Sequence, residues 1–168
     1  MAHFTIAVLV KNQFGVLNRV TSMFRRRRFN IQSLTVSETE SSEFSRITLS
    51  SFGEENEKKQ VIEQLYKLTD VVSIKELTSD NAINNELLLI KMKNDPAFRR
   101  DILAAVDAYR GTTVDYTRES MVIQVVGTNH TIDSFIDLMR DYEILELCRT
   151  GIVALERGST TLTEGVQA

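Results

Sequence analysis

The residues best suited to holding a small ligand lie near the N-terminus, at Asn12-Gln13-Phe14-Gly15. This stretch joins an alternating apolar segment to one with helical periodicity, so it leads into a helix N-terminus whose first N–H groups lack partners within the helix. Gly15 has no side chain to block close approach, and unpaired N–H groups at the positive end of a helix suit a carboxylate. The same pattern is also typical of an ordinary strand-to-helix turn.

Two asparagines could extend this candidate site. Asn12 lies in the turn and Asn30 at the start of the next predicted strand, and each carboxamide offers an acceptor C=O and a donor NH₂. Such groups can hold a zwitterion, because its ammonium needs acceptors and its carboxylate needs donors. Val16, Leu17 and Ile31 would form an apolar wall for an aliphatic side chain.

Residue types that carry enzyme chemistry are sparse. His3 and His130 are distant in sequence, and Cys148, the single cysteine, is far from both, so a zinc or Cys–His site has little support. We expect Cys148 to be buried in an apolar strand as a small hydrophobe. The chain contains neither a Walker-type loop nor a GxGxxG motif. The sequence therefore predicts no catalytic residue and no metal site.

Four consecutive arginines, residues 25–28, are the most prominent charge feature. Cations near a helix C-terminus oppose the partial negative charge there, each contributing ~0.3–1 kcal/mol. The run could equally form a contact surface for an acidic partner or a phosphate. It lacks the interleaved aromatic residues of a platform for single-stranded RNA.

The elements that must position these residues follow the order βαββαβ twice. The first half is predicted to contain strand 3–11, helix 16–28, strands 29–36 and 44–53, helix 54–68 and strand 70–77. The second half is predicted to contain strand 87–92, a helix with Asp95 as N-cap and Pro96 in its first turn that ends at Gly111, hairpin strands 112–116 and 121–126, helix 132–139 and a last strand from 144 to 155.

This order predicts an α+β fold of two ferredoxin-like sandwiches, each an antiparallel sheet covered by two helices. The predicted domains are residues 1–78 and 86–158. Residues 79–85, which are rich in Ser, Asp and Asn, are predicted to be a linker, and residues 159–168 a flexible tail.

Composition narrows the class of protein further. The chain has 168 residues and a formal net charge of −3, which argues against nucleic-acid binding through phosphate contacts. No apolar run approaches the ~20 residues of a membrane span, and the N-terminus lacks a signal-peptide profile. A single cysteine fits a reducing compartment, so we expect a cytoplasmic protein.

Residues 7–20, AVLVKNQFGVLNRV, resemble the opening of an ACT domain, a small module that often binds amino acids. Residues 26–36, RRRFNIQSLTV, are similar to one family in particular, the small regulatory subunits of acetohydroxyacid synthase (acetolactate synthase). In the second half, residues 86–91 and 149–158, ELLLIK and RTGIVALERG, agree with that family. The resemblance covers nearly the whole chain.

The resemblance implies a non-catalytic subunit of branched-chain amino-acid biosynthesis. It implies that the chain binds the catalytic large subunit, raises its activity and confers feedback inhibition by valine. Thiamine diphosphate, Mg²⁺ and FAD are then expected on that large subunit, with no cofactor on this chain. The resemblance also implies a homodimer in which two ACT domains pair side by side with the effector, a branched-chain amino acid, at their interface. The implied effector residues are Asn12, Gly15, Val16 and Leu17 of one chain with Asn30 and Ile31 of its partner.

Two positions depart from the family's common pattern. Phe14 stands where proline is common, and Arg28 stands at a helix-to-strand corner where glycine is common. A left-handed conformation at that corner would cost Arg28 ~1–2 kcal/mol. Both departures leave the activator role intact and leave valine sensitivity open.

Two other functions fit parts of the sequence. A free-standing, amino-acid-sensing ACT regulator of transcription would need a DNA-binding element, and no helix-turn-helix remains once both βαββαβ units are assigned. Residues 15–19, GVLNR, hint at an acylphosphatase-like hydrolase. That enzyme requires a phosphate-cradling loop, whereas we expect Arg19 to lie within a helix.

Overall fold

The computed structural model describes residues 2–164, which divide into two compact units. One unit contains residues 2–83 together with 152–164, and the other contains residues 84–151. Each unit has the predicted βαββαβ order, so the predicted α+β class is confirmed. Within the described residues, no helix combines the length and apolar character needed to cross a bilayer.

The first unit is a four-stranded antiparallel sheet with the strand order β2-β3-β1-β4. Its elements are β1 (Ala2–Lys11), α1 (Val16–Arg27), β2 (Ser33–Glu38), β3 (Phe44–Gly53), α2 (Glu55–Tyr66) and β4 (Val71–Leu77). The central strand β1 aligns Val8 with Ile47 on one side and with Ile74 on the other. Strand β2 therefore forms one edge of this sheet.

Alternate residues of β1 build the core beneath the helices. Ile6 and Val8 are fully buried and pack with Phe24 of α1 and Leu65 of α2. Burying an aliphatic or aromatic side chain of this size contributes roughly 1.5–3 kcal/mol. The inward-facing residues of α1, which recur at helical spacing, therefore pack against alternate residues of β1 in one apolar layer.

The opposite face of the same sheet is covered by the C-terminal segment, which we define as residues 152–164. Ala7 and Leu9 pack there with Ile152, Ala154 and Leu162, and all five are buried. The segment contains the short strand β9 (Val153–Glu156). Because both faces of β1 are apolar, both require a cover.

This packing differs from the predicted division of the chain. The sequence assigned residues 86–158 to the second domain, whereas residues from 152 onward pack with the first unit. The predicted flexible tail began at residue 159, but Leu162 is only 6% exposed. The last four residues of that predicted tail, 165–168, lie outside the described part of the chain.

The second unit has the strand order β6-β7-β5-β8. Its elements are β5 (Ala82–Lys93), α3 (Arg99–Ala108), β6 (Thr112–Tyr116), β7 (Ser120–Gly127), α4 (Asn129–Met139) and β8 (Ile144–Arg149). Its core centres on Ile90, Ile102 and Phe135. Residues 82–85, predicted as part of a linker, instead open β5, and Ala82 is buried.

The ends of α3 differ from the prediction. Asp95 accepts a hydrogen bond from Ala97 N–H at 2.9 Å and so caps a separate turn before the helix, which begins at Arg99. At the other end, just before Gly111, Arg110 adopts a left-handed conformation with φ 54°. Gly111 N–H closes the helix on Val106 O at 2.8 Å. The helix therefore ends at Ala108, and Gly111 lies in the turn that closes it.

The predicted last strand from 144 to 155 is two strands. Strand β8 ends at Arg149, Gly151 has φ 78°, and β9 begins at Val153, because the left-handed glycine interrupts the extended backbone. Cys148 is exposed, so its predicted burial was wrong. It pairs with Leu89, which alternates with the core residues of β5 and thus lies on the sheet face away from the helices.

Candidate functional site

The turn between β1 and α1 is built around Gly15, which has φ 82° and serves as the N-cap of α1. No side chain caps this helix N-terminus. Val16 N–H contacts Gln13 O at 3.3 Å, and Arg19 N–H donates to Gly15 O at 2.9 Å. The intervening N–H groups, those of residues 17 and 18, have no acceptor among residues 2–164. The predicted set of available donors at the start of α1 is therefore present.

A guanidinium group lies against this turn. A Cβ atom built on Gly15 would be 3.4 Å from Arg19 Nη1. Arg19 Nε donates to Asp70 Oδ2 at 2.6 Å, and the side chain of Asp70 is only 11% exposed, whereas that of Arg19 is 46% exposed. The ion pair fixes a partly exposed positive charge beside the uncapped N–H groups, an arrangement that suits a carboxylate.

Sequence reasoning missed the Arg19–Asp70 pair as part of the site. Arg19 lies in α1, as expected, and its position four residues after Gly15 brings it one helical turn away. Asp70 lies 51 residues further along the chain, immediately before β4, where its backbone oxygen also accepts a hydrogen bond from Lys11 N–H at 2.9 Å. The spacing of residues within one strand or helix cannot predict a contact between residues this far apart in the sequence.

Asn12 uses only part of its bonding capacity. Its Nδ2 donates to Glu38 Oε1 at 2.9 Å and to the carbonyl oxygen of Ser42 at 3.0 Å. Its Oδ1 accepts no hydrogen bond within residues 2–164. The carboxamide therefore stabilises the turn with its NH₂ group and leaves an acceptor for an ammonium group.

The apolar residues of the turn divide into two kinds. Val16 is 5% exposed and belongs to the core, so it supports the turn from beneath. Leu17 is 42% exposed, and Phe14 is completely exposed. Only Leu17 and Phe14 therefore present apolar surface at the predicted site.

Asn30 and Ile31 lie at the other end of the sheet from the Gly15 turn. They precede β2, whose first residue pairs with Ser50, and Ser50 in turn pairs with Thr5. The turn follows Lys11, six residues further along β1, which corresponds to about 20 Å at the rise of a strand. One chain does not bring the six predicted effector residues together.

The arginine run ends α1. Arg25, Arg26 and Arg27 occupy the last turn, and Arg28, with φ 59°, is the C-cap. Arg27 Nη2 donates to Gln64 Oε1 at 3.0 Å, and all four side chains are exposed. This placement supports the interpretation as cations at a helix C-terminus, and it leaves a basic surface open to a partner.

The two histidines, which are the candidates for catalysis or metal binding, lie far apart in the chain and do not form a site together. His3 makes an edge-to-face contact with Phe52, with ring centroids 5.4 Å apart, and His130 is exposed in the first turn of α4. Within residues 2–164, no group of three or more His, Cys, Asp or Glu side chains is placed to hold a metal ion.

The first βαββαβ unit, whose first helix starts at an uncapped, left-handed glycine, matches a family of ACT domains. The family model described as "AHAS small subunit-like ACT domain" matches residues 6–73, and the model described as "Small subunit of acetolactate synthase" matches residues 85–158. The chain belongs to the family of acetolactate synthase small subunits.

Individual relatives agree across both units. A probable acetolactate synthase small subunit of Archaeoglobus fulgidus is 45% identical over 155 residues, which are 92% of this chain and 97% of the relative. The small subunit of Bacillus subtilis is 39% identical over 155 residues, 92% of this chain and 90% of the relative. The crystal structure of the small subunit of Thermotoga maritima superimposes with a TM-score of 0.87 at 33% identity, covering 95% of this chain and all of that one.

Proposed function

We propose that this chain is the non-catalytic regulatory subunit of an acetolactate synthase. In this proposal it binds the catalytic large subunit, raises its turnover and transmits feedback inhibition by valine. The observation that carries the effector part is the uncapped N-terminus of α1 at Gly15, with the Arg19 guanidinium beside it. Family membership over both units supports the partnership with a large subunit.

Each part of an amino acid has a complementary group at this turn. The carboxylate would accept hydrogen bonds from the N–H groups of residues 17 and 18 and face Arg19. The ammonium group would donate to Asn12 Oδ1. Leu17 and Phe14, both exposed, would contact an aliphatic side chain. Valine satisfies all three requirements.

A second copy of the chain would complete the site. Asn30 and Ile31 are about 20 Å from the turn in their own chain, so they can reach an effector only at the turn of another chain. Strand β2 is an edge of the described sheet, and it exposes Val36. Pairing of two ACT sheets would cover such an edge and form a homodimer.

The effector can change activity only if it binds one arrangement of the dimer better than another. A difference of ~1–3 kcal/mol would change activity or affinity about 5- to 150-fold. Phe14 extends fully into solvent beside Gly15, so it would lie at the mouth of the effector site and influence which side chains enter.

Variants of Gly15, tested in enzyme reconstituted with the large subunit, would test the effector site. Gly15→Asp should abolish valine inhibition and leave activation largely in place, because the new carboxylate would occupy the N–H groups and Arg19 that the effector needs. Gly15→Ala is the matched control: it carries the same left-handed strain, and its Cβ would make only an ordinary 3.4 Å contact with Arg19.

Valine inhibition curves of the wild type and both variants give the answer. We expect Gly15→Ala to retain inhibition and Gly15→Asp to shift the inhibitory concentration at least tenfold. Identical curves for Gly15→Asp and the wild type would place the effector elsewhere.

A further inference from the structure

A cavity of about 380 Å³ lies on the face of the first sheet that is opposite α1 and α2. Its floor includes Leu9 of β1 and Arg46 of β3, and its walls are residues 37–40 and parts of the C-terminal segment. No residue of the turn 12–17 lines it, so it is distinct from the proposed effector site, although Glu38 of its lining accepts a hydrogen bond from Asn12. Its volume is within the range of small-molecule sites.

Arg46 is the cation of this cavity, and most of its donors are unused. Its Nη2 donates to Ala154 O at 2.7 Å, while Nε is buried without a partner within residues 2–164. Burial lowers the pKa of the Arg46 guanidinium, and the nearby Glu156 and Glu40 carboxylates act in the opposite direction. Buried donors without acceptors are costly, so the group favours a ligand with an anionic acceptor.

Three carboxylates also line the cavity, and two of them are engaged. Glu156 Oε2 lies 2.8 Å from Lys75 Nζ, and Glu38 Oε1 accepts from Asn12. Glu40 is exposed and makes no hydrogen bond or ion pair with the described residues. The cavity therefore combines a guanidinium whose Nε–H has no acceptor among the described residues with a carboxylate, Glu40, that acts on Arg46 electrostatically without a direct hydrogen bond.

The remaining lining divides into hydroxyls and apolar surface. Thr39, Thr160, Thr161 and Thr163 contribute polar atoms, and Leu155 and Leu162 contribute aliphatic surface next to Leu9. A phosphate would be repelled by the carboxylates. A neutral zwitterion with an aliphatic side chain matches the charges and the apolar wall together.

We propose that this cavity is a second amino-acid site, in which Arg46 binds the α-carboxylate and Glu40 the α-ammonium group of an aliphatic amino acid. The site is formed by a single chain, unlike the two-chain effector site. This second site rests on the proposed function, because it would bind the same class of amino acid as the proposed effector site of that unit.

Isothermal titration of the full-length chain with L-valine, L-leucine and L-isoleucine tests this site. We expect two equivalents of at least one of these amino acids per chain. Gly15→Asp should remove one equivalent, and Arg46→Gln should weaken the other at least tenfold. Glu40→Gln should also weaken the second equivalent at least tenfold, whereas Glu43→Gln, an exposed carboxylate of the same turn that does not line the cavity, should leave it unchanged.

Arg46→Gln could loosen the C-terminal segment, because Arg46 donates to Ala154 O. Thr160→Trp is therefore a second variant: Thr160 is exposed, and a tryptophan there would fill the cavity without removing Arg46. It should abolish the second equivalent.

Two analogues of valine test which class of ligand the cavity binds. The 2-oxo acid of valine lacks the ammonium group, and isobutylamine lacks the carboxylate. Both should bind the second site at least tenfold more weakly than valine.

The outcomes separate the two proposals. A single equivalent that is lost in Gly15→Asp and unchanged in Arg46→Gln, Glu40→Gln and Thr160→Trp would overturn the second site and keep the proposed effector site. A single equivalent with the reverse behaviour would support the cavity and overturn the Gly15 site. Equal binding of the 2-oxo acid or the amine at the cavity would overturn the zwitterion assignment.

Discussion

Gly15 and Arg28 border α1, and both adopt left-handed backbone conformations, with φ 82° and 59°. Glycine adopts this conformation without steric cost, whereas a residue with a Cβ loses ~1–2 kcal/mol. Arg28 N–H donates to Arg25 O, and Phe29 N–H donates to Phe24 O, which satisfies carbonyls at the helix C-terminus. The corner thus keeps the geometry that glycine usually provides, and Arg28 has the left-handed conformation for which the sequence analysis expected strain.

Replacing Arg28 should therefore stabilise the protein. Arg28→Gly should raise the free energy of unfolding by about 1 kcal/mol, because relief of the left-handed strain exceeds the added freedom of the unfolded chain. Arg25→Gly is the matched control, since Arg25 lies within α1 and its replacement should lower the free energy of unfolding by about 1 kcal/mol. Urea denaturation of the three proteins measures both changes, and destabilisation by both substitutions would contradict the strain argument.

Residue-level reasoning succeeded where the relevant groups are close in sequence. The turn at Asn12 and Gly15 could be predicted because strand, turn and helix signals occur within a few residues. The pairing of Arg19 with Asp70 could not be predicted, because 51 residues separate them and only the β1–β4 register brings them together. The same holds for Arg46 and Ala154, which are 108 residues apart.

At the scale of elements, the C-terminal segment gives the first unit its second cover. The near-continuous apolar run of β1 is typical of a strand buried on both faces, so the sequence held a signal that something covers the far face. The pattern of β1 did not show which segment of the chain covers that face. Leu162 is a single apolar anchor among threonines, and one residue has no periodicity to detect.

Leu162→Ala should lower the free energy of unfolding of the first unit by about 2–3 kcal/mol, because it removes a side chain packed in the cluster around Leu9. Leu155→Ala, in the same segment but 62% exposed, should change the free energy of unfolding by less than about 0.5 kcal/mol. Hydrogen exchange of the β1 amides reports the local effect. Equal protection of β1 in both variants would show that Leu162 does not hold the segment in place.

At the scale of the whole molecule, periodicity predicted the repeated βαββαβ order and hence the α+β class, since that order follows from local alternation and helical spacing. The return of residues 152–164 to the first unit depends on a long-range contact that no local pattern encodes. The proposed effector site depends on contacts between two chains, because its six residues come together only if a second chain supplies two of them. Local sequence signals cannot specify such an arrangement, and here it rests on the family resemblance and the sheet register.

The regulatory role is the central claim, and one titration tests it most directly. The purified chain should form no acetolactate by itself, and adding it to the purified large subunit of the same organism should raise the turnover of acetolactate formation to a plateau at a fixed subunit ratio. Acetolactate formation by this chain alone, or an unchanged turnover of the large subunit at saturating concentrations of this chain, would contradict the account.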